Sequence, residues 1–175
     1  MSSLKEYFHA EIIGGKDRPF SWWKVIRRAR RSKGSNFLFW WRVANHLHTK
    51  KGFSKSLAKS IHSRLVAKHN TDIMLGANIG EGLNIAHNIG IVIRKKVVIG
   101  KNFTIMQNCT IGTDFKTTEP IVIGDNVTMG ANSCIIGSGL IIGDNVNIGA
   151  MSFVNKNVPS DSTVYTKKEM VVVSH

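Results

Sequence analysis

The chain has 175 residues, 42% of them hydrophobic and 20% charged, with a formal net charge of +13. That length and balance exclude a disordered chain and leave room for one domain with a buried core plus a small appendage. The chain contains no apolar run of roughly 18 residues and does not begin with a basic-then-apolar leader. Its two cysteines, Cys109 and Cys134, make neither a disulfide framework nor a metal cluster, so a cytoplasmic, unsecreted protein is expected.

Residues 1–72 hold 16 Lys and Arg against 4 Asp and Glu, with 10 of the 14 aromatics and all four Trp. Residues 73–175 hold the other 8 basic residues against 7 acidic ones. The chain therefore divides into a basic, aromatic α-helical region, 1–72, and a nearly neutral region, 73–175, rich in Gly, Ile, Val and Asn. In the first region, residues 20–32 (FSWWKVIRRARRS) interleave Trp, Val and Ile with Lys and Arg and predict an amphipathic helix. Gly34-Ser35-Asn36 reads as a break and helix cap. Residues 36–49 predict a more apolar helix, ended by Lys50-Lys51-Gly52 as a C-terminus prefers. Residues 54–69 place Leu57, Ile61 and Leu65 at helical spacing among basic residues.

These basic residues are either a solvated face over an aromatic core or a surface for a polyanion. Trp and Phe among Lys and Arg suit peripheral contact with an anionic membrane through residues 20–68. No nucleic-acid-binding motif is present, and no nucleic acid partner is expected.

The second region is a repeat. From Ile79 the sequence runs IGEGLN, IAHNIG, IVIRKK; from Ile99, IGKNFT, IMQNCT; from Ile123, IGDNVT, MGANSC; from Ile142, IGDNVN, IGAMSF. An aliphatic residue recurs every six positions, and a second small or apolar one follows four places on: Leu83, Ile89, Phe103, Cys109, Val127, Ser133, Val146, Ser152. Breaks in register fall within 91–98, after Ile111 and near Gly139. A six-residue period fits neither a helix nor a hairpin sheet; it predicts a parallel β-helix, with the first aliphatic residue of each unit stacked inward. Gly and Asn take the turns because they tolerate positive φ. Cys109 occupies a small inward position, where it serves as a hydrophobe.

Of the seven histidines, His87 alone stands inside the repeat, on a rigid face that holds an imidazole in a defined pose for proton transfer. A zinc centre of three His has no counterpart, and no metal is expected.

Residues 71–113, TDIMLGANIGEGLNIAHNIGIVIRKKVVIGKNFTIMQNCTIGT, resemble the serine acetyltransferase branch of the hexapeptide-repeat acyltransferases. The resemblance extends over about 36–160, through WWRVANHL at 40–47, Pro120–Gly124, IGA at 148–150 and Val158-Pro159. It implies a left-handed parallel β-helix, a homotrimer, and acetyl transfer from acetyl-CoA to a hydroxyl with His87 as general base. Where that branch has Asp just before the His, this chain has Ala86; where it has His before a loop Pro, this chain has Glu119. The helical region is about half as long as in the serine enzymes. In length and in its basic start the chain resembles the short O-acetyltransferases of capsule and other surface polysaccharides, which implies a saccharide acceptor.

The expected mechanism follows from that resemblance. His87 takes the hydroxyl proton, and Glu119 or a backbone carbonyl orients its ring. The Gly112-Thr113 turn of a neighbouring subunit supplies an oxyanion N–H. Acetyl-CoA lies along the edge carrying Gly130-Ala131 and Gly149-Ala150, with Lys156, Lys167 and Lys168 toward its phosphates. The alternatives are a serine O-acetyltransferase and a non-catalytic scaffold or membrane-bound binding module.

Overall fold

The structure is a computed structural model that describes residues 3–15, 17–167 and 173; Lys168 and His175 lie outside the described residues. Among the described residues four α-helices precede fourteen short strands: α1 Leu4–Phe8, α2 Trp22–Arg31, α3 Lys33–His48 and α4 Phe53–His69. Helix α1 begins with a capping box. Ser3 Oγ accepts from the Glu6 N–H, and the Glu6 carboxylate accepts from the Ser3 N–H. The chain continues from α1 through a wide turn, His9–Ile13, that ends at Gly14 with φ 94°.

The predicted break at Gly34-Ser35-Asn36 is displaced. Ser32 ends α2 and also caps α3, its hydroxyl accepting from the Ser35 N–H at 3.4 Å. Asn36 is helical, and its side-chain amide reaches back to the Ala29 carbonyl of α2 at 2.9 Å. The polar residues thus close the end of one helix rather than interrupt the next.

The strands form a three-faced parallel solenoid of about five turns. The first face stacks Asp72–Ile73, Val92–Ile93, Thr110–Gly112, Cys134–Ile136 and Phe153–Val154. The second stacks Asn78–Ile79, Val97–Ile99, Ile121–Ile123 and Ile141–Ile142. The third stacks Asn84–Ile85, Thr104–Ile105, Thr128–Met129, Asn147–Ile148 and Thr163–Val164. Each inward residue lies on its equivalent in the next coil, as in Ile73, Ile93, Ile111 and Ile135, all fully buried. Coils repeat at roughly 4.8 Å. At one turn Asn102, Asn126 and Asn145 adopt φ of 55–58°, and their amides form a ladder to Asp161 at 2.8–3.0 Å. Asn suits that position because its short polar side chain tolerates the left-handed region and bonds to its neighbours.

One register expectation is corrected. The two extra residues fall not within 91–98 but between Ile85 and Ile93, which are eight positions apart where Ile105–Ile111, Met129–Ile135 and Ile148–Val154 are six. Ile89, expected inside, is 51% exposed, and Ile91 fills the core in its place. Leu83, Phe103, Cys109, Val127, Ser133, Val146 and Ser152 are buried as expected.

Helices α3 and α4 cover the first coil. Trp41 Nε1 donates to the Ile73 carbonyl at 2.8 Å, and Asn45 bonds both the Gly76 N–H and the Ala77 carbonyl. Arg42 donates to the carbonyls of Ile79 and Gly80 and to both oxygens of Glu11, a pair almost wholly out of water. This cover protects a sheet end that would otherwise template further pairing. Trp41, Phe37 and Phe8 are buried, whereas Trp22, Trp23, Trp40 and Phe53 face solvent. No helix among the described residues is long and apolar enough to cross a membrane.

Candidate active site

His87 stands on the edge where the third face turns into the first, in the coil lengthened by two residues. The longer corner pushes the chain outward, and His87 is exposed with φ 54°. The corner is pinned at its ends: the Ala86 N–H donates to the Ile105 carbonyl at 3.0 Å, and the Gly90 N–H to the Asn70 carbonyl at 2.7 Å. Beside His87, the Asn88 amide donates to His69 Nδ1 at 3.3 Å, at the end of α4. His69 packs edge-on against Phe37 and is buried.

Burial, then the charges of Lys68 and Lys33, hold the His69 imidazole below its ordinary pKa, and the neutral ring can accept that bond. Burial and the nearby Lys55 and Lys59 do the same for His48. Both rings protonate more readily in the unfolded chain, so this contribution to stability is whole above the ordinary His value of 6.5 and is lost as pH falls through the lowered folded values. The urea midpoint is expected to drop between pH 8 and pH 5, and His69→Gln to flatten that drop. A midpoint constant over this window would contradict the assignment.

Below His87, the same edge carries Gly130-Ala131 and Gly149-Ala150 in the third and fourth coils, roughly 10 and 14 Å along the axis. The Gly130 N–H bonds the Ile148 carbonyl and the Met151 N–H bonds the Ala131 carbonyl, so these turns stack directly. A Cβ on Gly130 would sit 2.6 Å from the Ala150 nitrogen, which is why glycine is required there. Beyond Thr163–Val164 the edge ends in exposed Tyr165 and Lys167. The structure therefore brings His87, Gly130, Ala131, Gly149, Ala150 and Lys167 onto one edge.

Gly112, Thr113, Glu119 and Lys156 stand elsewhere, on the edge between the first and second faces. Within one chain Glu119 does not orient His87. The His87 ring has no hydrogen-bond partner among the described residues, neither this carboxylate nor a backbone carbonyl. Thr113 is engaged at the base of the 113–120 loop. Its Oγ1 accepts from the Phe115 N–H at 3.0 Å and meets Ser138 Oγ at 2.7 Å, and Ser138 gives its proton to Asp114. The hydrogen bond from Ser138, with the Lys116 N–H, holds the Asp114 carboxyl below its usual range.

Sequence reasoning left out Asp72, which precedes the first inward Ile of the solenoid. Its N–H donates to the Ile91 carbonyl at 2.8 Å, and its Oδ1 lies 3.1 Å from His62 Nε2. It is a carboxylate one coil above the His87 corner; its sequence signal was its place at the head of the 71–113 stretch.

No protein-family profile matches the chain. It is 38% identical to mitochondrial serine acetyltransferase 3 of Arabidopsis thaliana over 124 residues, 70% of this chain and 31% of that protein. The crystal structure of serine acetyltransferase isoform 3 from Entamoeba histolytica, in complex with cysteine, matches with a TM-score of 0.77 and 26% identity. That match covers 98% of this chain and 60% of that one. The serine acetyltransferase of Brucella abortus in complex with coenzyme A matches with a TM-score of 0.70 and 29% identity, over 78% of this chain and 54% of that one. The chain thus spans a third to three fifths of the length of these relatives, and over that span it is similar in sequence and in fold to the serine acetyltransferases.

Proposed function

We propose that this protein is an acetyl-CoA-dependent O-acetyltransferase. The observation that carries the reading is an exposed imidazole, His87, heading an edge of stacked Gly-Ala turns in a solenoid similar to that of serine acetyltransferases, one of them crystallised with coenzyme A. His87 accepts the proton of the acceptor hydroxyl as that oxygen attacks the thioester carbonyl, then returns the proton to the departing thiolate sulfur. Among the described residues no Ser or Cys side chain at this edge is paired with a base, and the reading is direct transfer. Gly130-Ala131 and Gly149-Ala150 line the path of the pantetheine arm, since these two pairs themselves carry no side chain larger than a methyl.

The oxyanion donor and a second polar group are assigned to the other edge. The Thr113 N–H is free of acceptors among the described residues, and Gly112, Thr113 and Glu119 of a second copy are the natural source. A left-handed homotrimer in the cytoplasm fits this division of labour.

The names of the relatives favour L-serine as acceptor. Ala86 and Glu119, in place of the resemblance's Asp and His, favour a saccharide hydroxyl as the second reading. Acetyl-CoA supplied with L-serine and, separately, with mono- and oligosaccharides decides between them when free thiol is followed. Transfer to one class selects that reading, and no transfer to either removes the enzymatic proposal.

Membrane contact through residues 20–68 rests on α2, which exposes Trp22, Trp23 and Ile26 among Lys24, Arg27, Arg30 and Arg31 and has no acidic residue. The protein is expected to sediment with phosphatidylserine-containing vesicles and not with neutral ones, less so in high salt, with Trp23→Ala weakening the association. Equal recovery with neutral vesicles would dismiss it.

A further inference from the structure

The 113–120 loop, inserted between Thr110–Gly112 and Ile121–Ile123, roofs a cavity of about 310 Å³ on the second edge. That volume suits a small ligand. Its floor is the run Arg94-Lys95-Lys96. Among the described residues no carboxylate lies within ion-pair distance of any of the three. Lys96 is tied to the roof, donating to the Thr118 carbonyl at 3.5 Å. The half-buried Arg94 guanidinium lies 5.2 Å from the Phe115 ring centroid.

Phe115 itself is unusual. It is 74% exposed and has φ 62°, a conformation bulky side chains rarely adopt. The hydrogen bonds from Thr113 through Ser138 to Asp114 hold it there. An aromatic ring set largely exposed at a cavity rim, on a strained backbone, suits contact with a ligand. Glu119 completes the wall with a carboxylate that no described cation meets.

The geometry points to this cavity as a binding site for an anionic sugar, a saccharide bearing a phosphate or a carboxylate. Arg94 and Lys95 take the anion, the guanidinium with paired N–H donors and the ammonium as a point charge. The Phe115 ring covers the apolar face of the sugar. Glu119 accepts from the hydroxyls. Three positive charges against one negative make a neutral ligand a poor match. The inference deepens the transferase reading by naming the class of its acceptor, and the binding itself does not depend on that reading.

The test is calorimetric titration of the full chain, at low salt and without acetyl-CoA, with glucose 6-phosphate, glucuronate and glucose. At least one anionic sugar is expected to bind at least tenfold more tightly than glucose. Preference for glucose 6-phosphate identifies a phosphate ligand, and preference for glucuronate a carboxylate. Lys95→Gln, a change at an exposed position that the fold does not need, is expected to weaken that binding about tenfold, as loss of one charge-assisted contact implies. Phe115→Ala is expected to weaken the sugar and leave inorganic phosphate unchanged.

Equal affinity for glucose, or full affinity in Lys95→Gln, would overturn the proposal. So would displacement of the sugar by stoichiometric coenzyme A, which would assign these cations to the cosubstrate's phosphates. Sugar binding that persists in a protein showing no acetyl transfer would sink the transferase reading and leave the site standing.

Discussion

His87→Asn is expected to lower acetyl transfer from acetyl-CoA by about 10²- to 10⁴-fold, the usual contribution of a positioned general base, while leaving the urea midpoint unchanged. Asparagine is the informative replacement. His87 holds φ 54° in an exposed corner, and asparagine tolerates that region, as Asn102, Asn108 and Asn126 do at neighbouring turns. The imidazole makes no hydrogen bond among the described residues, so its removal leaves no buried group unpaired. His87→Ala would mix the loss of a base with the cost of a strained alanine. The comparison is kcat at saturating acceptor with denaturation of both proteins. A kcat within about threefold of wild type would remove His87 from the reaction, whatever the resemblance implies.

The coils were legible because Ile73, Ile93, Ile111 and Ile135 must lie on one another, and a branched aliphatic residue every six positions has few other uses. The edge carrying Gly130-Ala131 and Gly149-Ala150 was legible for the same reason, since residues just after an inward position always fall at a corner. Counting by six failed where the corner itself changed length. Ile89 and Ile91 are both isoleucine, and composition cannot say which of them reaches the core; the pairing of Val92–Ile93 with Asp72–Ile73 does. That misplaced bulge is the one that sets His87 out from the edge.

Glu119 was attached to His87 by resemblance. Its corner follows from the register of the strands on either side of the loop, which separates it from His87 by a whole face. The Asn88–His69 contact had no sequence signal, because it joins a turn to the end of a helix that only packing brings near. The helix junction moved from Gly34-Ser35-Asn36 to Ser32 because the Asn36 side chain is engaged by Ala29, a partner seven residues back that a local capping rule does not consider.

Arg42→Met is expected to cost about 3–5 kcal/mol of folding stability, the usual consequence of removing one partner of a buried ion pair. Arg42 and Glu11 have side-chain exposures of 3% and 0%. The guanidinium joins three parts of the chain: the turn after α1 through Glu11, α3 to which it belongs, and the first coil through the Ile79 and Gly80 carbonyls. It also lies 3.9 Å from the Tyr7 ring centroid. Methionine fills similar volume, so the loss would report charge and hydrogen bonds rather than a cavity.

Burial already raises the Glu11 carboxyl above its ordinary pKa, opposed by Arg42 and by the Leu83 N–H. Without Arg42 the opposition falls away and the raised value climbs further. A carboxyl whose folded pKa is raised favours the folded state at low pH, and that advantage disappears as pH rises through the folded value. The Arg42→Met deficit is therefore expected to be largest at neutral pH and to shrink toward pH 5. Adding Glu11→Leu should recover most of it at every pH, because the stranded charge is then gone.

Arg42→Lys is expected to fall in between, since a single ammonium cannot serve a carboxylate and two carbonyls in the same plane. Urea denaturation of the three variants at pH 5 and pH 8 checks all of this, and an Arg42→Met protein as stable as wild type would show that the helices are held by apolar packing alone. The clamp also bears on the reaction: Gly80 and Leu83 precede the Asn84–Ile85 strand that delivers the chain to His87. A loosened clamp should lower kcat in Arg42→Met under conditions where the protein remains folded, with Glu11→Leu restoring stability more fully than rate.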